Sequence, residues 1–238
     1  MDEGQHRHDR RTFLGAAAMS LGAFGAAGSA LPAGAAGAGG PSPAAETPEA
    51  ALALLKEGNA RFVSGQSKCG PLTARVIELE AGQAPFAIVL GCSDSRVPIE
   101  TIFDQIPGNV FVVRVAGNFL TTDGLGSIEY GVAALKASLL VVLGHSACGA
   151  VKATVDFLKD GNPQPGHIQS LVTAIEPAAK AARSAPGDWL SNAIAENVRQ
   201  NVHASTARST IVSDAVNSGK LEVVGAVYEL GTGKVAFL

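Results

Sequence analysis

Three short apolar runs do most to limit what this chain can fold into: FAIVLG at residues 86–91, VFVVRV at 110–115 and LLVVL at 139–143. They are rich in β-branched residues and lack a polar residue at every second position. Such runs read as strands buried on both faces, which in a sheet means parallel strands covered by helices. Segments with helical patterning lie between and after them, at 98–104, 124–136 and 149–159. The alternation predicts a single α/β domain, with a mostly parallel central sheet flanked by helices.

The flanks add to this frame. Thr47-Pro48 offers a helix cap followed by proline at the first helical position. Leu52, Leu55, Phe62 and Val63 then recur on a helical period, so 48–64 is expected as a helix ended by Gly65. A second helix fits 73–81, giving an N-terminal helical arm. Beyond the third strand, helical segments are expected at 168–184 and 189–217, separated by Pro186-Gly187. The runs 221–230 and 234–238, joined at Gly231-Thr232-Gly233, read as a terminal hairpin or edge addition.

Residues 1–40 read as an address and linker rather than as fold. Arg10-Arg11-Thr12-Phe13-Leu14 precedes an apolar stretch rich in alanine and glycine, and Ala-x-Ala sites follow. This is the layout of a secretory signal, and its paired arginines resemble a twin-arginine export signal. The stretch is too short and glycine-rich for a stable transmembrane helix, and no lipid-anchoring cysteine follows it. Export to the periplasm or exterior by the twin-arginine machinery is therefore expected, with no stable membrane anchor after cleavage. The folded domain is expected over 46–238. The formal net charge of the chain is -3. Residues 1–40 carry three acidic and three arginine side chains, so removing them leaves the balance unchanged. With no basic stripe, nucleic acid is not an expected partner.

Two motifs carry the chemistry. Cys92-Ser93-Asp94-Ser95-Arg96 follows the first strand, and His145-Ser146-Ala147-Cys148 follows the third. In an open parallel sheet both land on the same edge, where ligands bind. Two thiolates and an imidazole form a set suited to zinc, and three protein ligands leave a fourth position for a reacting group. Asp94 is placed to orient a zinc-activated water. Arg96 can hold Asp94 by a bidentate pair and keep it off the metal. The remaining cysteine, Cys69, lies in a polar loop and reads as an ordinary thiol.

Four stretches resemble the β-class carbonic anhydrases: CSDSRVP at 92–98, FVVR at 111–114, GSIEY at 126–130 and GHSACG at 144–149. The resemblance covers about Glu46 to Leu238. It implies reversible hydration of carbon dioxide to bicarbonate and a proton by zinc-bound hydroxide, with one Zn2+ per chain held by Cys92, His145 and Cys148. It implies that Asp94 and Arg96 form the catalytic dyad, and that Gln83, Phe111 and Tyr130 bind substrate or line its pocket. A homodimer or higher homo-oligomer is implied too, with Gln83 and Phe111 acting across the interface. Some members carry a tryptophan three residues before the first zinc cysteine and are shut by bicarbonate. Val89 stands there in this chain, which argues for an open site. The ligand set alone leaves open a CS2 or COS hydrolase on the same fold, or a zinc protein without catalysis.

Overall fold

The computed structural model describes residues 45–68 and 72–238. The segment expected to serve as an export signal, its linker and Cys69 lie outside the described residues. The chain runs α1 (Pro48–Val63), α2 (Thr73–Glu78), β1 (Ala87–Gly91), α3 (Ile99–Ile102), β2 (Val110–Arg114), α4 (Thr122–Ala133) and β3 (Leu139–His145). It continues through α5 (Gly149–Asp160), α6 (Ile168–Ala181), α7 (Trp189–Ala207), α8 (Thr210–Asn217), β4 (Glu222–Tyr228) and β5 (Val235–Phe237).

The strands form one sheet in the order β2-β1-β3-β4-β5. The first four are mutually parallel, and β5 joins β4 antiparallel. The three apolar runs occupy the strands expected of them, and β1 and β3 are buried at every position. The terminal pair does more than a hairpin: its first member is a fourth parallel strand beside β3, and only its second is an antiparallel edge.

Alternation along the strands divides the core in two. Val89, Val141, Leu143 and Ala226 point to the face covered by Ala51 and Leu55 of α1 and by Ile99 and Ile102 of α3. Ile88, Leu90, Leu140 and Val142 point to the other face, against Ile128 of α4, Val198 of α7 and Val212 of α8. Each of the valine, leucine and isoleucine side chains, fully buried, contributes about 1.5–3 kcal/mol of transfer free energy.

Caps fix where the helices begin. Thr47 accepts from the Ala50 N–H at 3.2 Å, as its position before Pro48 predicts. The helix expected over 189–217 is two helices. Ser209 has an extended backbone, accepts from the Val212 N–H at 3.2 Å, and donates its hydroxyl to Glu129 Oε1 at 2.7 Å. A serine that can cap the next turn while anchored to α4 ends one helix and starts another.

Candidate active site

The strand order places the site. From β1 the chain crosses to β2 on one side, while β3 lies on the other. The carboxyl ends of β1 and β3 therefore flank the point where the connections diverge, the usual ligand crevice of such sheets. Register then brings the motifs level, because Gly91 pairs with Leu143. Cys92 is one residue past Gly91, and His145 is two past Leu143.

Cys148 completes the cluster from the first turn of the following segment. It caps α5, and the peptide N–H groups of Ala150 and Val151 favour its thiolate. Between His145 and Cys148 the chain turns sharply, with Ala147 at φ 53°. That left-handed conformation is unfavourable for alanine and is held by the surrounding turn.

The ligand atoms of Cys92, His145 and Cys148 all lie within 4.8 Å of one another, and all three residues are buried. The imidazole is fully buried. Its Nδ1 lies 2.9 Å from the carbonyl oxygen of Ser146, which can only accept, so Nδ1 carries the proton. Nε2 then holds a free lone pair and is a buried nitrogen with no hydrogen-bond partner. A buried acceptor left unpaired beside two thiols is costly unless a cation takes its lone pair. The donor set fits zinc: Nε2 and two sulfurs, with the other ring nitrogen fixed by a carbonyl in the usual manner of a metal-bound histidine.

The thiols differ. Cys92 is held well below the ordinary thiol range, first by the hydrogen bond from Cys148, against the opposing effect of burial and with help from the Gly117 N–H at 3.2 Å. Cys148 is pushed up, chiefly because it supplies that hydrogen bond and also because it is buried.

Asp94 and Arg96 form the bidentate pair expected of them. Arg96 Nε lies 3.0 Å from Oδ1 and Nη2 lies 2.7 Å from Oδ2, and the Arg96 peptide N–H adds a third bond to Oδ1 at 2.9 Å. The Arg96 guanidinium holds the Asp94 carboxyl well below the usual carboxylate range. Asp94 Oδ2 stands 3.9 Å from His145 Nε2, at the mouth of the ligand cluster.

Gln83, Phe111 and Tyr130 are not gathered here within one chain. Gln83 is exposed in the loop before β1, at the opposite end of that strand from Cys92. Five strand residues span about 17 Å. Phe111 lies in β2 and lines a cleft of about 330 Å³ with Leu90, Val113 and Thr121. Tyr130, in α4, is 53% exposed and its ring centroid lies 6.2 Å from that of Phe111.

Two supports had no role assigned from sequence. Arg114, at the end of β2, reaches the carbonyls of Cys92 and Asp94 at 2.9 and 2.8 Å. Ser146 is tied to Glu229 and Leu230 beyond β4 at 2.8 and 3.0 Å. Arg114 was visible as a lone cation closing an apolar strand. Nothing local marks Glu229, 83 residues from its partner.

Residues 87–235 match the family model described as carbonic anhydrase, which is well over half of the chain. The chain belongs to the β-carbonic anhydrase family. A carbonic anhydrase of Mycolicibacterium smegmatis is 42% identical over 193 residues, covering 79% of this chain and 92% of that protein. Carbonic anhydrase 2 of Mycobacterium tuberculosis is 41% identical over 192 residues, covering 79% and 91%. Among solved structures, the β-carbonic anhydrase of Coccomyxa in complex with acetazolamide aligns with TM-score 0.61 at 31% identity, covering 79% of this chain and 86% of that one. As an enzyme of this family, the chain is a zinc-dependent carbonic anhydrase, a lyase that interconverts carbon dioxide and bicarbonate.

Proposed function

We propose that this carbonic anhydrase works as an exported oligomer in which Asp94 and Arg96 govern the reacting group. The observation that carries the reading is the fully buried cluster of Cys92, His145 and Cys148 with an unpartnered Nε2, faced by an arginine-held carboxylate. Zinc bound by these three residues supplies Lewis acidity, which makes a water nucleophilic near neutral pH.

The chain's own residues do the rest. Asp94 stays ionised and accepts a hydrogen bond from the reacting group at the mouth of the cluster, which fixes the direction of attack on carbon dioxide. Arg96 occupies both carboxylate oxygens, so Asp94 orients that group instead of closing the fourth metal position. Gln83, Phe111 and Tyr130 bind substrate or line its pocket in the assembled oligomer, with Gln83 reaching the site of a neighbouring copy.

Assembly is supported by the open edge of the sheet. Val110, Phe111, Val112 and Val113 are only half-buried on the outermost strand, beside exposed Tyr130. An apolar edge of this kind invites pairing with another chain. Two β-carbonic anhydrases of Sordaria macrospora, one of them 27% identical at TM-score 0.62 with 76% of this chain and 93% of that one covered, are described as tetrameric. Export rests on the paired arginines and apolar stretch at the start of the sequence, and no helix among the described residues is long and apolar enough to cross a membrane.

Stopped-flow measurement of carbon dioxide hydration by the zinc-loaded protein tests the activity. Rapid hydration, lost on Arg96→Ala with zinc retained, is the expected result. Full turnover in that variant would overturn the role given to the dyad.

A further inference from the structure

We propose that Glu229, in the turn between β4 and β5, is a positioning residue for the metal ligand His145, acting through Ser146. The proposal rests on the zinc role of His145.

The ring of His145 is oriented by one bond, from Nδ1 to the carbonyl of Ser146 at 2.9 Å. That carbonyl belongs to the next residue in the chain, so it is no firmer than the peptide that carries it. The peptide opens a turn that contains Ala147 at φ 53°. A turn holding a strained residue relaxes unless its ends are fixed from outside. An orienting partner that moves also frees the imidazole to rotate away from the two sulfurs.

Ser146 is fixed at three points, all from the strand and turn beyond it. Its N–H donates to the Tyr228 carbonyl at 2.9 Å, continuing the β3–β4 ladder. Its hydroxyl donates to Glu229 Oε1 at 2.8 Å and accepts from the Leu230 N–H at 3.0 Å. Glu229 Oε1 in turn accepts from the Gly231 N–H at 3.2 Å. The carboxylate thus ties the serine hydroxyl to the backbone of the β4–β5 turn. That turn is braced on its other side, because Asn59 of α1 donates to the Gly233 carbonyl at 2.9 Å and accepts from the Val235 N–H at 2.9 Å.

The relay therefore runs from the turn, through Glu229 and the Ser146 hydroxyl, to the Ser146 carbonyl and His145 Nδ1. Every link in it is a hydrogen bond or a single residue's backbone. Its chemical demand is an acceptor at position 229, so glutamine can serve there and alanine cannot.

Zinc affinity, measured by competition with a chromophoric chelator, tests the relay together with the visible d–d spectrum of the cobalt-substituted protein. Ser146→Ala and Glu229→Ala should each weaken zinc binding about tenfold and shift the cobalt bands, the usual scale for losing support of a metal ligand. Glu229→Gln should restore both. Thr232→Ala disturbs the same turn without touching Ser146 and should stay within about twofold of the wild type. Wild-type affinity and an unshifted spectrum in Ser146→Ala and Glu229→Ala would overturn the proposal. So would an equal loss in Thr232→Ala, which would assign the effect to the turn as a whole. Ratios of affinity score the relay, so zinc-loaded wild type that failed to hydrate carbon dioxide would count against the activity alone.

Discussion

Arg114 closes β2 and donates through Nε to the carbonyl oxygen of Cys92 at 2.9 Å. Its Nη2 spans to the carbonyl of Asp94 at 2.8 Å, so one planar fork pins both ends of the segment carrying a ligand and its neighbouring carboxylate. Lysine keeps the charge and loses the fork. Arg114→Lys should leave the β1–β2 ladder intact while weakening zinc binding and carbon dioxide hydration about tenfold each. Chelator competition and stopped flow measure the two. Unchanged values would mean that the turn at Asp94 holds itself.

Arg96 contributes to charge state as well as to geometry. It holds the Asp94 carboxyl below the ordinary range, so the interaction favours the fold above the unfolded carboxyl pKa of about 4 and fades as pH falls through the lower, folded value. Arg96→Ala should therefore be less stable than wild type near neutrality. The two stabilities should converge in strong acid, as followed by denaturant unfolding at a series of pH values. A gap that persisted into strong acid would have a source other than this pair.

Most of this site was legible because its ligands sit at strand ends, and strand ends can be read from short apolar runs. Cys92 and His145 are placed by the β1–β3 register alone. Ser209 was missed as a break because a polar residue inside a helical pattern gives no local sign of its partner, Glu129, 80 residues away. Glu229 escaped for the same reason. The role of Gln83 cannot be read from one chain, since β1 puts it at the far edge of the sheet from Cys92. Hydrophobic period encodes the scaffold, whereas hydrogen bonds between distant polar residues leave no periodic trace.

Gly117 supplies the N–H that points at Cys92 Sγ, and it does so from φ 85°, where L-residues are strained. A Cβ there would also lie 2.5 Å from Ile175 Cδ1 and 3.2 Å from Ala150 Cβ. Gly117→Ala should lose about 1–3 kcal/mol of stability in urea titration. It should weaken zinc as well, because relief of the clash moves the N–H off the sulfur. Wild-type stability would mean that the loop after β2 shifts freely.

The two thiols fix how zinc binding depends on pH. In the metal-free protein the Cys148 thiol donates to a Cys92 thiolate, which is why Cys92 sits low and Cys148 high. Zinc takes both sulfurs as thiolates, so binding releases the one shared proton to solvent. Below the pKa of about 7 of a zinc-bound water, the thiols should then contribute about a tenfold rise in apparent affinity per pH unit, whereas two protonated thiols would contribute about a hundredfold. Cys148→Ser should lose most zinc affinity, and Cys92→Ser should lose at least as much, since it also removes the sulfur that is already ionised. Titrating zinc into weakly buffered protein at pH 6, below the pKa of about 7 of a zinc-bound water, counts the thiol protons with a pH indicator. One proton per zinc supports the asymmetric pair, and two would mean that both sulfurs enter as thiols.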